Sequence, residues 1–135
     1  GLRKAEALAK ERHVALTTHC VDLTAWNWPE NEFDFVVIIY VHFPPDVRAM
    51  MHQAALLALK PDGQIILEAF TFEQLEYGSG GPPLREMLYD ANMLAKDFQQ
   101  GDILELTELT ALLDEGKYHL GEAAIVRARI RRSPA

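Results

Sequence analysis

Cysteine is nearly absent from this sequence: the single Cys20 excludes an internal disulfide and makes a cytoplasmic setting the expectation. Long apolar runs are absent too, and none approaches the roughly 20 residues that a membrane helix requires. The chain opens Gly1-Leu2-Arg3-Lys4, a charged helix start instead of the apolar core of a secretion signal. Positive charge is in deficit. The formal net charge of -7 repels phosphate backbones, which argues against nucleic-acid binding through a broad basic surface. The basic stretch Arg127, Arg129, Arg131 and Arg132 alternates in part and reads as a solvated strand face. Metal-ligand spacing is missing as well. His13, His19, His42, His52 and His119 form no HxH or HExxH, and the lone cysteine adds no CxxC, so no metal site is expected. No GxSxG nucleophile turn occurs.

Glycine-rich loops are scarce. The only one lies in LEYGSGGPPL, Leu75 to Leu84, with Gly78, Ser79, Gly80 and Gly81 in a row. A cradle for a phosphate or carboxylate needs converging backbone N–H donors. Pro82 and Pro83 have none to give, and the run does not open directly into a helix. It reads as a flexible turn, with a lid on the substrate side as the next possibility.

What is present is an ordinary globular composition, 49% hydrophobic and 24% charged over 135 residues, which suits one domain spanning 1-135. Leu2 to His13 carries Leu2, Ala5, Leu8 and Ala9 near one helical face. VALTTHCVDL, Val14 to Leu23, is rich in β-branched residues and predicts a strand. FDFVVIIYVHF, Phe33 to Phe43, predicts a strand apolar on both faces, of the kind buried in a parallel sheet, and Pro44-Pro45 ends it. Val47, Met50, Met51, Ala54 and Ala58 give helical periodicity to Pro45–Leu59, and KPDG then leads into a second buried strand, Gln64 to Phe70. That order is a βαβ unit. Leu84 to Phe98 predicts helix, broken at Asp90 as a cap. Ile103 to Leu113 and Ala123 to Arg131 predict an antiparallel hairpin across DEGKYHLGE. The fold class expected is α/β: a mostly parallel sheet that ends in an antiparallel hairpin.

The run DLTAWNWPENEFDFVVIIYVHFPPDVRAMMHQAALLALKPDGQIILEAF resembles the second half of a class I S-adenosylmethionine-dependent methyltransferase. The carrying features are the acidic residue after the family's third strand, FD opening the fourth, and LKPDG leading into the fifth. The continuation EAFTFEQLEYGSGGPP is similar to small bacterial methyltransferases of the tellurite-resistance type. The resemblance implies a partial Rossmann-like sheet with helices on both faces. It makes Val14 to Leu23 the third strand and leaves the family's first strand, first helix and second strand without counterparts. The glycine-rich cofactor loop belongs to that unmatched part.

The resemblance also distributes roles. Asp22 would accept from the adenine amino group and the Leu23 backbone would meet the ring; from the residues alone, Asp22 equally reads as a strand end starting a turn. Ile39 and Tyr40 would line the cofactor and methyl-transfer pocket at a strand end, where open α/β sheets bind ligands. His42 and Tyr77 are candidate catalytic residues, His42 as a general base. For His42, packing at a strand end is the competing reading. Glu68, costly within an apolar strand unless paired or at the mouth of the sheet, and His119 are placed on the substrate side.

Two readings follow: a methyltransferase-like protein, inactive as this chain for want of the glycine-rich cofactor loop, or a non-catalytic binding or assembly module on the same fold. A third has two chains completing one cofactor pocket. S-adenosylmethionine is the cofactor that the resemblance implies, with a small-molecule methyl acceptor. The missing strands leave the edge Phe35 to Tyr40 unpaired, so a homo-oligomer that covers it is expected.

Overall fold

A computed structural model describes residues 1–134 of the chain. Its elements are α1 (Leu2–Glu11), β1 (Phe33–Ile39), α2 (Pro45–Ala58), β2 (Leu59–Phe70), α3 (Ala91–Asp97), β3 (Gly101–Asp114) and β4 (Leu120–Arg132). Two short 3₁₀ turns, Phe72–Glu76 and Arg85–Met87, lie between β2 and α3. The strands form one sheet in the order β1-β2-β4-β3. β1 runs parallel to β2, the two joined by the α2 crossover, while β4 is antiparallel to both β2 and β3. The partial Rossmann-like architecture with a C-terminal hairpin is therefore present. Its parallel share is one pairing of three, because the expected strand Val14 to Leu23 does not join.

That segment is the main departure from the sequence expectation. Residues 14–22 carry no strand pairing. A β-branched run becomes a strand only beside a neighbour that can take its backbone groups. No strand flanks it, and its start turns back along α1, where the Thr18 hydroxyl donates to Glu6 Oε1 at 2.5 Å. β1 is shorter than expected, ending at Ile39 and not Phe43, because Tyr40 turns out of the strand at φ +53°. The Leu84–Phe98 helix is a 3₁₀ turn followed by α3. Asp90 caps α3 as expected, accepting from the Met93 N–H at 2.7 Å.

The core lies on one face of the sheet. Ala55 and Leu56 of α2, with Leu94 of α3 and Phe98 just after it, pack on Ile65, Leu67, Val126, Ala128 and Ile130, all buried. Each of the Leu, Ile, Val and Phe side chains contributes about 1.5–3 kcal/mol by leaving water. A polar lock ties the two helices together. Asp97 accepts from Arg48 Nε and Nη2 at 2.7 and 3.2 Å and from His52 Nδ1 at 2.7 Å. Its backbone carbonyl accepts from Gln53. His52 is fully buried and stacks on Phe98, and its Nε2 has no hydrogen-bond partner.

The opposite face is covered at one end only. Phe70, Leu113, Ala123 and Ile125 form a small second cluster there. Towards the other end the sheet is bare: Phe35 is 60% exposed, Val37 61%, Ile39 44% and Ile66 41%. The expected helices on both faces are thus found on one. Among the described residues α1 packs on no strand to a significant extent.

Candidate functional site

The carboxyl ends of β1 and β2 sit side by side, with Ile39 in register with Glu68. Parallel strands present their carboxyl ends at one edge, and that edge is where open α/β sheets take ligands. Alternation puts Glu68 and Phe70 on the face away from α2, and the left-handed turn at Tyr40 carries its ring to the same face. The Tyr40 hydroxyl donates to Glu68 Oε1 at 2.5 Å. Arg127 Nε, from the neighbouring β4, donates to Glu68 Oε2 at 2.6 Å. Tyr40 stacks on Phe70, centroids 4.6 Å apart, and His119 meets the Tyr40 ring edge-on at 4.6 Å. The carboxylate that interrupted an apolar strand is therefore paired through both oxygens, as a half-buried charge requires.

This pairing sets the protonation pattern. Burial raises the Tyr40 phenol well above its ordinary value, and the hydrogen bond and negative charge of Glu68 push it further, with Glu115 adding to the effect. Arg127 is held above its ordinary value by its hydrogen bond to Glu68. The cluster is a neutral phenol on a carboxylate on a guanidinium. Beside it, Ile39, Ile66, Glu68, Glu105, Arg127 and Arg129 line an open depression of about 260 Å³ on the bare face.

His42 stands close by but faces the backbone. Its Nδ1 donates to the Met87 carbonyl at 2.6 Å, and its Nε2 accepts from the Phe70 N–H at 3.2 Å. Burial lowers its pKa, so it is neutral at physiological pH. Both ring nitrogens are engaged, and His42 acts here as a clamp joining the β2 end to the Arg85–Met87 turn. The expected general base has no free nitrogen. Tyr77 is also displaced from its expected place. It borders a separate depression with Thr71, Glu73 and Glu108.

The two remaining predicted cofactor residues stand apart from this cluster. Asp22 is exposed and closes an Asx turn, Oδ1 accepting from the Thr24 N–H at 2.9 Å and the Thr24 hydroxyl at 2.7 Å. Those two bonds hold its carboxyl below the usual range. Leu23 accepts from Trp28 Nε1 at 2.9 Å and borders an apolar gap of about 180 Å³ with Trp28, Val36, Val37 and Val41. Ile39 points away from that gap, into the depression beside Glu68. Of the predicted site residues, Ile39, Tyr40, Glu68 and His119 are brought together, while Asp22, Leu23 and Tyr77 are not.

The glycine run proves to be stitched down, not free. The Gln74 amide donates to Ser79 Oγ and to the Gly80 carbonyl, each at 2.9 Å, while its Oε1 accepts from the Ala124 N–H at 2.8 Å. Ser79 Oγ donates to the Glu122 carbonyl at 2.6 Å. Gly80 and Gly81 have φ +118° and +87°, and a Cβ on Gly80 would meet the Tyr118 carbonyl at 2.4 Å. A Cβ on Gly81 would lie 3.0 Å from the Phe70 ring. The expected flexible turn is thus a packed wall that sets His119 and Phe70 around Tyr40. Sequence reading missed Arg127, Gln74 and Ser79; only the alternation that put Arg127 on a strand face hinted at it.

No protein-family model matches the sequence, and no curated protein matches it closely. The architecture has many solved counterparts. It superposes on TehB from Haemophilus influenzae with a TM-score of 0.70 at 15% identity, covering 95% of this chain and 45% of TehB. A SAM-dependent methyltransferase from Methanosarcina mazei matches with a TM-score of 0.67 at 14% identity, over 98% of this chain and 77% of that one. One from Clostridium acetobutylicum matches with 0.67 at 12%, over 98% and 71%. The chain has the class I methyltransferase fold. It spans less than half the length of TehB, so the methyltransferase fold is here in part. S-adenosylmethionine is the cofactor of that fold's methyltransferases, and its fit can be judged on these residues. Asp22 has its turn-forming oxygen engaged, and the one glycine run is bonded to β4 and followed by prolines. On these two features the described residues are a poor fit to the cofactor.

Proposed function

We propose that this chain is the acceptor-facing part of an S-adenosylmethionine-dependent methyltransferase and that alone it neither holds the cofactor nor transfers a methyl group. The observation that carries this is the Tyr40–Glu68–Arg127 array at the carboxyl ends of the two parallel strands, the edge that serves ligands in open α/β sheets. Tyr40, Phe70 and His119 would bound a methyl acceptor, and the depression along Glu68 and Arg127 would admit it. Methyl transfer depends chiefly on alignment of donor and acceptor, so a rigid aromatic wall serves it without a free base. The acceptor is a small molecule, and the setting is cytoplasmic.

A second reading has its own support: a non-catalytic binding or assembly module. Both oxygens of Glu68 and both nitrogens of His42 are engaged, so neither of these two groups is free to take a proton. Titration calorimetry of the 135-residue chain with S-adenosylmethionine tests the proposal. No saturable heat is expected. Micromolar binding would overturn both the inactive reading and the non-catalytic one.

A further inference from the structure

β1 is the end strand of the sheet, and among the described residues nothing pairs with its outer side. The nearest polypeptide, around Leu23 and Trp28, stands across the apolar gap of about 180 Å³ and gives no hydrogen bond to the strand among the described residues. The Tyr40 N–H bonds back to the Glu68 carbonyl of β2. In a parallel ladder alternate residues bond to one side, so Phe35, Val37 and Ile39 present their N–H and C=O groups to the empty side. These three also carry the exposed side chains of the bare face. An edge of this kind, apolar, seven residues long and uncharged from Phe35 to Ile39, is one that proteins rarely leave open.

We infer that a second copy of this chain pairs with β1, antiparallel, about a two-fold axis at Val37. The segment is self-complementary about that residue. Val37 meets its own copy, and Phe35 of each copy faces Ile39 of the other, which sets free donors opposite free acceptors along the whole overlap. An aromatic ring across from a branched aliphatic is a favourable cross-strand pair. The charges agree. Asp34, the strand's only charged residue, is held by Lys60 of its own chain at 3.0 Å and falls opposite Tyr40, so no like charges meet. The result is a continuous eight-stranded sheet whose bare apolar stripes join. This goes beyond the functional reading and does not depend on it.

Sedimentation equilibrium at micromolar concentration tests it. The expected species has twice the 15.2 kDa chain mass. Val37→Lys places two like charges face to face only in this register and weakens association about tenfold. Because Val37 is exposed in the single chain, the variant stays folded, with a far-UV circular dichroism spectrum that matches the original protein's. Mixing Val37→Lys with Val37→Glu restores the doubled mass as a heterodimer. A monomeric original protein overturns the inference and leaves the edge to a different polypeptide. A dimer that Val37→Lys leaves intact, or a mixture that fails to re-associate, overturns the two-fold pairing at Val37.

Discussion

Tyr40 shows how one backbone angle builds a site. Its φ of +53° ends β1 and swings the ring over Phe70 and Glu68. Burial and then the Glu68 hydrogen bond raise its phenol, and burial pushes the Tyr89 phenol up to about 12. A spectrophotometric alkaline titration is therefore expected to show Tyr40 and Tyr89 ionising late. Glu68→Gln should bring Tyr40 back towards, though not fully to, the ordinary value of about 10; an unchanged titration would mean that the pair does not form. Gly80 is the second decisive residue. Gly80→Ala forces a left-handed backbone on alanine and a clash with a backbone carbonyl, and about 2 kcal/mol of unfolding free energy should be lost in urea denaturation. The glycines and tyrosines were visible in the sequence, but their roles were not, because a positive φ and a close approach are properties of the folded chain.

At the level of elements, α2 and α3 are held by Asp97. Burial alone would raise its carboxyl, but the hydrogen bonds from His52 and Arg48 outweigh that and hold it below the usual range. A depressed carboxylate stabilises the fold fully above its unfolded pKa, about 4, and the contribution is lost as pH falls through the lower folded value. Acid unfolding should therefore include a component from this lock below about pH 4. Asp97→Ala leaves Arg48 and His52 without their partner and should cost about 3 kcal/mol, with that acid component gone from the pH–stability profile. An equal acid sensitivity in the variant would assign it elsewhere. Helical periodicity announced α2 and the Asp90 cap announced α3. The Asp97 lock was illegible, since its members lie 45 or more residues apart in sequence. Val14 to Leu23 fails for the reason β1 succeeds: a strand's propensity is realised by its neighbour, and only β1 has one.

For the whole molecule, the decisive feature is what the sheet adjoins. One face is closed by α2 and α3, the other is half open, and one edge is free. The chain overlays 95–98% of itself on methyltransferase folds while spanning 45–77% of theirs in the same comparisons. Cofactor retention and self-association are accordingly the two properties most sensitive to what the sheet adjoins, and calorimetry and sedimentation report on each separately. The sequence by itself determined the βαβ unit, the terminal hairpin, the helix stops and the resemblance to the methyltransferases, since periodicity, capping and turn chemistry act within a dozen or so residues. Only the tertiary structure decided that the glycine run is a wall, that His42 is a clamp, that Glu68 is shared by Tyr40 and Arg127, and that Val14 to Leu23 is no strand. Each of those depends on groups brought together from distant parts of the chain, and local pattern carries no record of which neighbour will be there.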